Sequence, residues 1–356
     1  MKRLIVCCDG TWNSADQTEN GAPCPTNVVK FVNRIAKFDS SNGERILQIV
    51  YYDQGVGTGN FFDRLTGGAF GDGLEANIHD AYRFLVGNYE KGDEVFLFGF
   101  SRGAFTARSI GGMIRKCGIL KRDCARKYPV AIALYNDQPH TEISAQIPPE
   151  KGFHPDDAFP CEFRKNHSVH AADPVDIRCV GVWDTVGSLG IPLRGFRSFT
   201  QKKYQFHDTK LNGWVKYGFH ALAIDEHRAP FEPTLWSNPS PHQTLRQVWF
   251  AGAHSDVGGG YPESELSNIA LQWMVDQLKQ EKLLAFDPQV EAAYEIKSDP
   301  LGMLHDSKTG VYNLTVGIDR KVTPDKEGQS IHPSVKERWD RDSKYRPDSL
   351  KEIWKE

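Results

Sequence analysis

The chain has 356 residues, with 43 Lys and Arg against 46 Asp and Glu and a formal net charge of −3. At 39% hydrophobic and 25% charged it is long enough for a sizeable buried core and has the balance of a soluble globular protein. A near-neutral charge without a Lys/Arg block excludes a phosphate-tracking stripe for nucleic acid, and 11% aromatic residues exclude a tail-like disordered chain.

The chain opens with "MKRLIVCCDG", whose apolar stretch ends at Asp9, too early for a signal-peptide core. No other segment approaches the ~20 apolar residues that cross a bilayer, so a cytoplasmic location is expected. Residues 3–8 read as a strand, and the Pro25-Thr26-Asn27 sequence opens a helical pattern over 26–38. A second strand is expected over 45–52 and a helix over 73–90. A third strand over 94–100 runs straight into a helix over 102–117, and another helical pattern covers 125–136. Strands over 176–183 and 245–253 and helices over 209–225 and 265–281 complete the regular part. All five strands are near-continuous apolar runs, as expected where both faces of a sheet are covered. Strands alternating with helices predict a three-layer α/β domain with a mainly parallel central sheet. Intervals at about 137–175 and 185–208, rich in Pro, His, Gly and charge, read as cap or loop insertions in that single domain of residues 1–356. From about 284 the chain is a polar extension with one helical stretch at "PSVKERW".

Seven cysteines (Cys7, Cys8, Cys24, Cys117, Cys124, Cys161 and Cys179) are odd in number and irregular in spacing, with no C-x-x-C pair. They suit a reducing compartment. Those in strands act as small hydrophobes.

In a parallel α/β sheet, chemistry gathers beyond the carboxyl ends of the strands. The last three strand ends offer, in chain order, Ser101 in "GFSRGA", Asp184 in "WDTVGS" and His254 in "AHSDVGGGY". Ser, then Asp, then His is the chain order of the α/β-hydrolase triad, and G-x-S-x-G between a strand and a helix is its nucleophile turn. A serine hydroxyl needs a base to take its proton, imidazole is that base near neutral pH, and a carboxylate fixes the imidazole tautomer. Backbone donors for an oxyanion are expected from Arg102, the residue after the nucleophile, and from Gly10 or Thr11 in the early loop "DGTWN". Asp9 suits a loop anchor that bonds neighbouring amides. Asp256, two residues from His254, is a second acid that could bond locally or shape the glycine-rich turn. His220 and His227 lie in "YGFHALAIDEHR", read as a helical segment, and rival His254 as base, although a core or helix-face histidine is the commoner reading there. The triad chemistry requires neither metal nor cofactor. Its substrate would be a small-molecule or lipid ester, with transient contact to a membrane surface. Loop aromatics Trp12, Phe61, Phe62, Phe196, Phe199 and Trp236 are candidates for an acyl cleft.

Five stretches in order, "CCDGTWN", "GFSRGAFTAR", "VGVWDTVGSLG", "HALAIDEHR" and "VWFAGAHSDVGGGYPESELSNIALQWM", resemble a bacterial and fungal family that also forms the catalytic domain of phospholipase effectors delivered by type VI secretion. The resemblance runs from residue 3 to about 280, with a weaker echo in "IHPSVKERW". It implies an α/β-hydrolase fold and ester cleavage of the phospholipase A type, with Ser101 as nucleophile and Asp184 and His254 as its partners. The large appended region of the effectors has no counterpart here, so ester hydrolysis is implied more firmly than phospholipid.

Two other functions compete. "IVCCDGTW" is similar to the D-x-D-G-T strand end of magnesium-dependent haloacid-dehalogenase phosphatases, with Asp184 and Asp256 as metal ligands. However, Cys7 stands where their nucleophilic aspartate belongs, and a thiol is a poor partner for magnesium. A non-catalytic binding module on a hydrolase fold is the other; its mark would be a broken triad, and Ser101, Asp184 and His254 are all present.

Overall fold

The computed structural model describes residues 1–10, 16–19, 21–41, 43–55, 68–137, 159–171, 173–186, 210–308 and 317–354, with backbone alone at 68–72. Its strands are β1 (Lys2–Cys8), β2 (Thr18–Glu19), β3 (Ala22–Pro23), β4 (Phe38–Asp39), β5 (Ile46–Asp53), β6 (Glu94–Phe100), β7 (Ile177–Trp183), β8 (Val215–Ala223), β9 (Thr244–Phe250) and β10 (Gln329–Ile331). The α-helices are α1 (Asn27–Arg34), α2 (Gly68–Asn88), α3 (Arg102–Cys117), α4 (Tyr128–Tyr135), α5 (Pro160–His167), α6 (His254–Gly258), α7 (Glu265–Gln280), α8 (Pro288–Ala293), α9 (Pro333–Arg341) and α10 (Asp348–Lys351).

Eight strands form one sheet in the order β10-β9-β8-β7-β6-β1-β5-β4, parallel throughout except for the antiparallel edge strand β4. β1 lies between β5 and β6, so the chain changes its direction of travel there, which opens a crevice above the strand ends. The apolar runs are buried on both faces because alternate side chains serve two cores. Leu4, Val6, Cys8, Val95 and Leu97 meet α2, α3 and α4 through Leu85, Ile110, Met113 and Val130. Ile5, Cys7, Phe96 and Phe98 point the other way, onto Phe31 of α1 and Leu271, Met274 and Leu278 of α7. This is the expected three-layer α/β arrangement around a mainly parallel central sheet. None of the described helices is long and apolar enough to cross a membrane.

Two expectations need correction. The stretch read as helix 209–225 is instead β8, hydrogen-bonded to β7 on one side and β9 on the other. A short apolar run carries no reliable period of its own, and here the two neighbouring strands decide. The extension from about 284 is not merely polar surface. It supplies β10, in register with β9, and buries Val322, Val335, Trp339, Tyr345 and Leu350 against Leu222 and Trp249 in a third core. Of the two insertions, residues 138–158, 172 and 187–208 lie outside the described residues; within the first, α5 packs Phe163 into the core.

The turn from β6 to α3 is held by close backbone approach. A Cβ on Gly103 would lie 2.1 Å from the Cys8 carbonyl oxygen, and one on Gly99 would lie 2.3 Å from that of Gly103. Both glycines are therefore required by space rather than by dihedral freedom. Gly103→Ala should destabilise the protein by about 1–3 kcal/mol, since backbone must shift to admit the methyl. Gly87→Ala, in α2 with no atom within 4 Å of the added methyl, should be neutral or stabilising by about 0.5–1 kcal/mol. Urea unfolding of the two variants checks this; equal midpoints would mean that the Gly103 contact is absent.

Candidate active site

Ser101 is the first residue beyond β6 and the residue before α3, with φ 58° and ψ −121°. A non-glycine residue in this sparsely populated region carries strain of about 1–3 kcal/mol. It is pinned there by its own N–H donating to the Trp183 carbonyl at 3.0 Å, and by its carbonyl accepting from the Phe105 N–H at 3.3 Å. Its hydroxyl makes no capping bond to α3, so a helix cap does not explain the serine.

Asp184 follows β7, also at positive φ (39°), and has no exposed surface. Its N–H donates to the Ala221 carbonyl at 2.8 Å, which fixes the backbone to β8. Its Oδ1 accepts from the Ala223 N–H at 3.0 Å and from Arg320 Nη1 at 2.6 Å. Its Oδ2 accepts from Arg320 Nη2 at 3.0 Å and from His254 Nδ1 at 2.5 Å. Burial alone would raise its pKa. The Arg320 guanidinium and His254 outweigh that and hold the carboxyl well below the usual carboxylate range.

His254 begins α6, just beyond β9, with only 5% of its side chain exposed. Its ring lies between Phe100 and Phe231, with centroids 4.6 Å and 5.0 Å away. Phe100 is the residue before Ser101, so the imidazole stands at the serine turn. A Cβ on Gly258 would fall 1.9 Å from the Phe100 ring, so this glycine lets α6 approach it. Because Asp184 accepts at Nδ1, that nitrogen carries the proton and Nε2 presents its lone pair. Nε2 is buried and makes no hydrogen bond among the described residues. Burial pulls the imidazole pKa below its ordinary value, against the pull of Asp184 in the other direction.

A second buried acid holds the backbone of the same residue. Glu226 accepts from the His254 N–H at 3.3 Å and from the Arg228 side chain at 2.7 and 2.8 Å. Burial would raise its pKa, but the Arg228 bonds and charge lower it. Arg228 in turn lies over the Phe231 ring, 3.6 Å from its centroid.

Asp256 turns away from His254. Its carboxylate accepts from the Ala253 N–H at 2.9 Å, from the His305 N–H at 3.1 Å and from His305 Nδ1 at 2.6 Å. It caps its own short helix and ties it to a later segment. Asp9 has a similar bracing geometry: it accepts from Thr26 Oγ1 at 2.7 Å, Tyr52 Oη at 2.9 Å and the Gly10 N–H at 2.7 Å. The Gly10 amide is thus engaged by the neighbouring carboxylate, and Thr11 lies outside the described residues. Arg102 occupies the first turn of α3, where helix N–H groups point toward the serine end.

The rival histidines sit elsewhere. His220 is on β8, not on a helix. It is wholly buried, its Nε2 accepts from the Thr185 N–H at 3.2 Å, and burial lowers its pKa to about 3. His227 bonds the 317–319 segment, 3.1 Å from Asp319. Trp236, offered above as an acyl-cleft aromatic, is a core residue stacked edge-on with His220 and under Arg108. Trp12, Phe61, Phe62, Phe196 and Phe199 lie outside the described residues. The acids of the phosphatase reading, Asp184 and Asp256, face different histidines, and Cys7 is fully buried within β1. Among the described residues no group of three or more His, Cys, Asp or Glu side chains could hold a metal ion.

Three residues that brace the candidate site were not anticipated from the sequence. Glu226 lies in the quoted "HALAIDEHR" stretch, which gave a signal without a role. Arg320 and His305 lie in the extension and carried no signal, because 136 residues separate Arg320 from Asp184.

In comparisons with known proteins, the uncharacterised protein YEL023C of Saccharomyces cerevisiae is 30% identical over 265 residues, covering 68% of this chain and 33% of the yeast protein. A crystal structure of an uncharacterised Pseudomonas aeruginosa protein shares 17% identity at a TM-score of 0.42, covering 84% of this chain and 49% of that one. The Tle1 effector bound to the VgrG spike of the type 6 secretion system shares 18% at a TM-score of 0.40, covering 73% and 51%. The chain thus spans about a third of the yeast relative and about half of each solved neighbour. The family model described as "T6SS, Phospholipase effector Tle1-like, catalytic domain" matches residues 2–277, and the chain belongs to that family.

Proposed function

We propose that the chain is a serine hydrolase of ester bonds, lipase- or phospholipase-like, working through Ser101, His254 and Asp184. The observation that carries this reading is the 2.5 Å bond from His254 Nδ1 to a fully buried Asp184, which leaves Nε2 without a partner among the described residues, in a ring packed on Phe100, the residue before Ser101. Membership of the Tle1-like phospholipase family supports an ester, and a lipid ester in particular, as substrate.

In this mechanism Nε2 takes the Ser101 hydroxyl proton as Oγ attacks the ester carbonyl, giving a tetrahedral oxyanion. The Arg102 backbone N–H at the start of α3 stabilises that charge; since the Gly10 N–H already bonds Asp9, Thr11 is the early-loop candidate for the second donor. His254 then returns the proton to the leaving alkoxide, and the acyl group stays on Ser101. Water, deprotonated by the same imidazole, releases the acid. Asp184 remains ionised throughout and stabilises the imidazolium formed at each step.

Three outcomes are expected. Ser101→Ala should remove fluorophosphonate labelling and lower ester turnover by several orders of magnitude while the thermal midpoint stays close to wild type. Near wild-type turnover in that variant would sink the assignment.

The rate should rise with pH as His254 loses its proton. Since burial places its pKa below the ordinary 6.5, the acidic limb of kcat/KM should lie below pH 6.5. EDTA should leave the rate unchanged; a loss restored by magnesium would favour the phosphatase reading.

Asp184→Asn should lower kcat by roughly 10³–10⁴, because an amide favours the wrong imidazole tautomer. Asp256→Asn should instead cost stability, by about 1–3 kcal/mol, through the weakened bonds to Ala253 and His305. Steady-state kinetics and urea unfolding on both variants decide; reversed effects would transfer the acid role to Asp256.

A further inference from the structure

We infer that Arg320, from the segment beyond residues 2–277 that define the family, is a positioning residue of the active site: its guanidinium grips both carboxylate oxygens of Asp184, setting where that acid points and how strongly it raises the basicity of His254. This rests on the reading of Ser101, His254 and Asp184 as a triad.

Both partners are out of water, with side-chain exposures of 1% for Arg320 and 0% for Asp184. The remaining Nη hydrogens are also placed: Nη1 donates to the Ala223 carbonyl at 2.8 Å and Nη2 to the Phe231 carbonyl at 2.5 Å. The fork is therefore anchored to the end of β8 and to the segment carrying the ring that packs on His254. A bidentate arginine–carboxylate pair fixes the plane of the carboxylate as well as its position. Here that plane directs the second lone pair of Oδ2 at His254 Nδ1.

The pair also has an electrostatic consequence. A carboxylate facing imidazole alone would stabilise the imidazolium with its whole charge. Arg320 takes a share of that charge, so the histidine stays a weaker base and is neutral at lower pH. The other titratable or charged groups around the pair include His220 on β8, Glu226 and Arg228 beyond it, Asp256 on the helix of His254 itself, and Asp225, His227, His305 and Asp319 around the cavity that Arg320 lines. The Glu226–Arg228 pair is internally compensated, and Asp256 is bonded to His305. Arg320 is the one cation bonded directly to Asp184 among the described residues.

The test follows the second-order rate of fluorophosphonate labelling at Ser101 against pH, which needs no knowledge of the natural substrate. For Arg320→Gln the acidic limb should move up by about one pH unit, which lowers labelling on the acidic side of the wild-type limb by up to about tenfold. Arg320→Lys keeps the charge and loses the fork, so its limb should stay within a few tenths of wild type while the plateau rate falls about tenfold. Arg320 lines a cavity of about 470 Å³ with Asp225, His227, His305 and Tyr345. Guanidinium at sub-denaturing concentration can therefore reach the gap left by Arg320→Ala and should restore part of the rate, while sodium chloride should not.

Folded Gln and Lys variants with wild-type rate and limb would overturn the inference. So would a loss of rate with an unmoved limb and no guanidinium rescue, which is the pattern of a merely structural ion pair. If Arg320→Gln does not fold, the Lys plateau and the rescue of Arg320→Ala decide alone. Failure of the wild-type chain to label would instead overturn the hydrolase reading itself.

Discussion

A carboxylate without exposed surface is stable only when its charge is met on all sides, and Asp184 is the point at which this molecule meets that requirement. Its two oxygens receive a β8 amide, both arms of a guanidinium and an imidazole. Each donor comes from a different part of the chain. The end of β7, the end of β8, the start of α6 and the segment before β10 must therefore converge for that one charge to be tolerated. The strained backbones at Ser101 and Asp184 belong to the same assembly: the Ser101 N–H donates to the last residue of β7, and the Asp184 N–H to β8. Strain at these two residues is carried by the parallel sheet beneath them.

Much of this was legible in the sequence. A buried parallel strand needs apolar residues on both faces, so the runs at 3–8, 45–52, 94–100, 176–183 and 245–253 announced themselves, and all five lie in the sheet. The residue types that follow them carry chemistry because strand ends face the crevice, and this alone singled out Ser101, Asp184 and His254. The structure brings the last two into contact and places the ring of the third beside the turn of the first.

What remained hidden has physical reasons. "YGFHALA" is short and rich in residues that helices and strands both accept, so its state depends on whether neighbouring strands exist to pair with it. Arg320 has no local signature, because nothing in a lone arginine within a polar stretch distinguishes a solvated cation from one bonded to a distant acid. The extension reads as polar for the same reason: its apolar residues, Val322, Val335, Trp339 and Tyr345, are spaced for docking onto an existing sheet edge rather than for a periodic element. Gly10 shows the limit of motif logic, since a loop amide beside an aspartate can be bonded before any substrate arrives.

The 136-residue separation between Asp184 and Arg320 has a consequence in time as well as in space. During synthesis Ser101, Asp184 and His254 all leave the ribosome before residue 320 does. Until then the buried acid has no cation to meet it, and neither β10 nor the third core exists to close the sheet edge. A nascent chain thus carries every reacting group of the proposed triad in an unassembled state. Completion of the site is deferred until the segment that carries Arg320 has docked on Asp184.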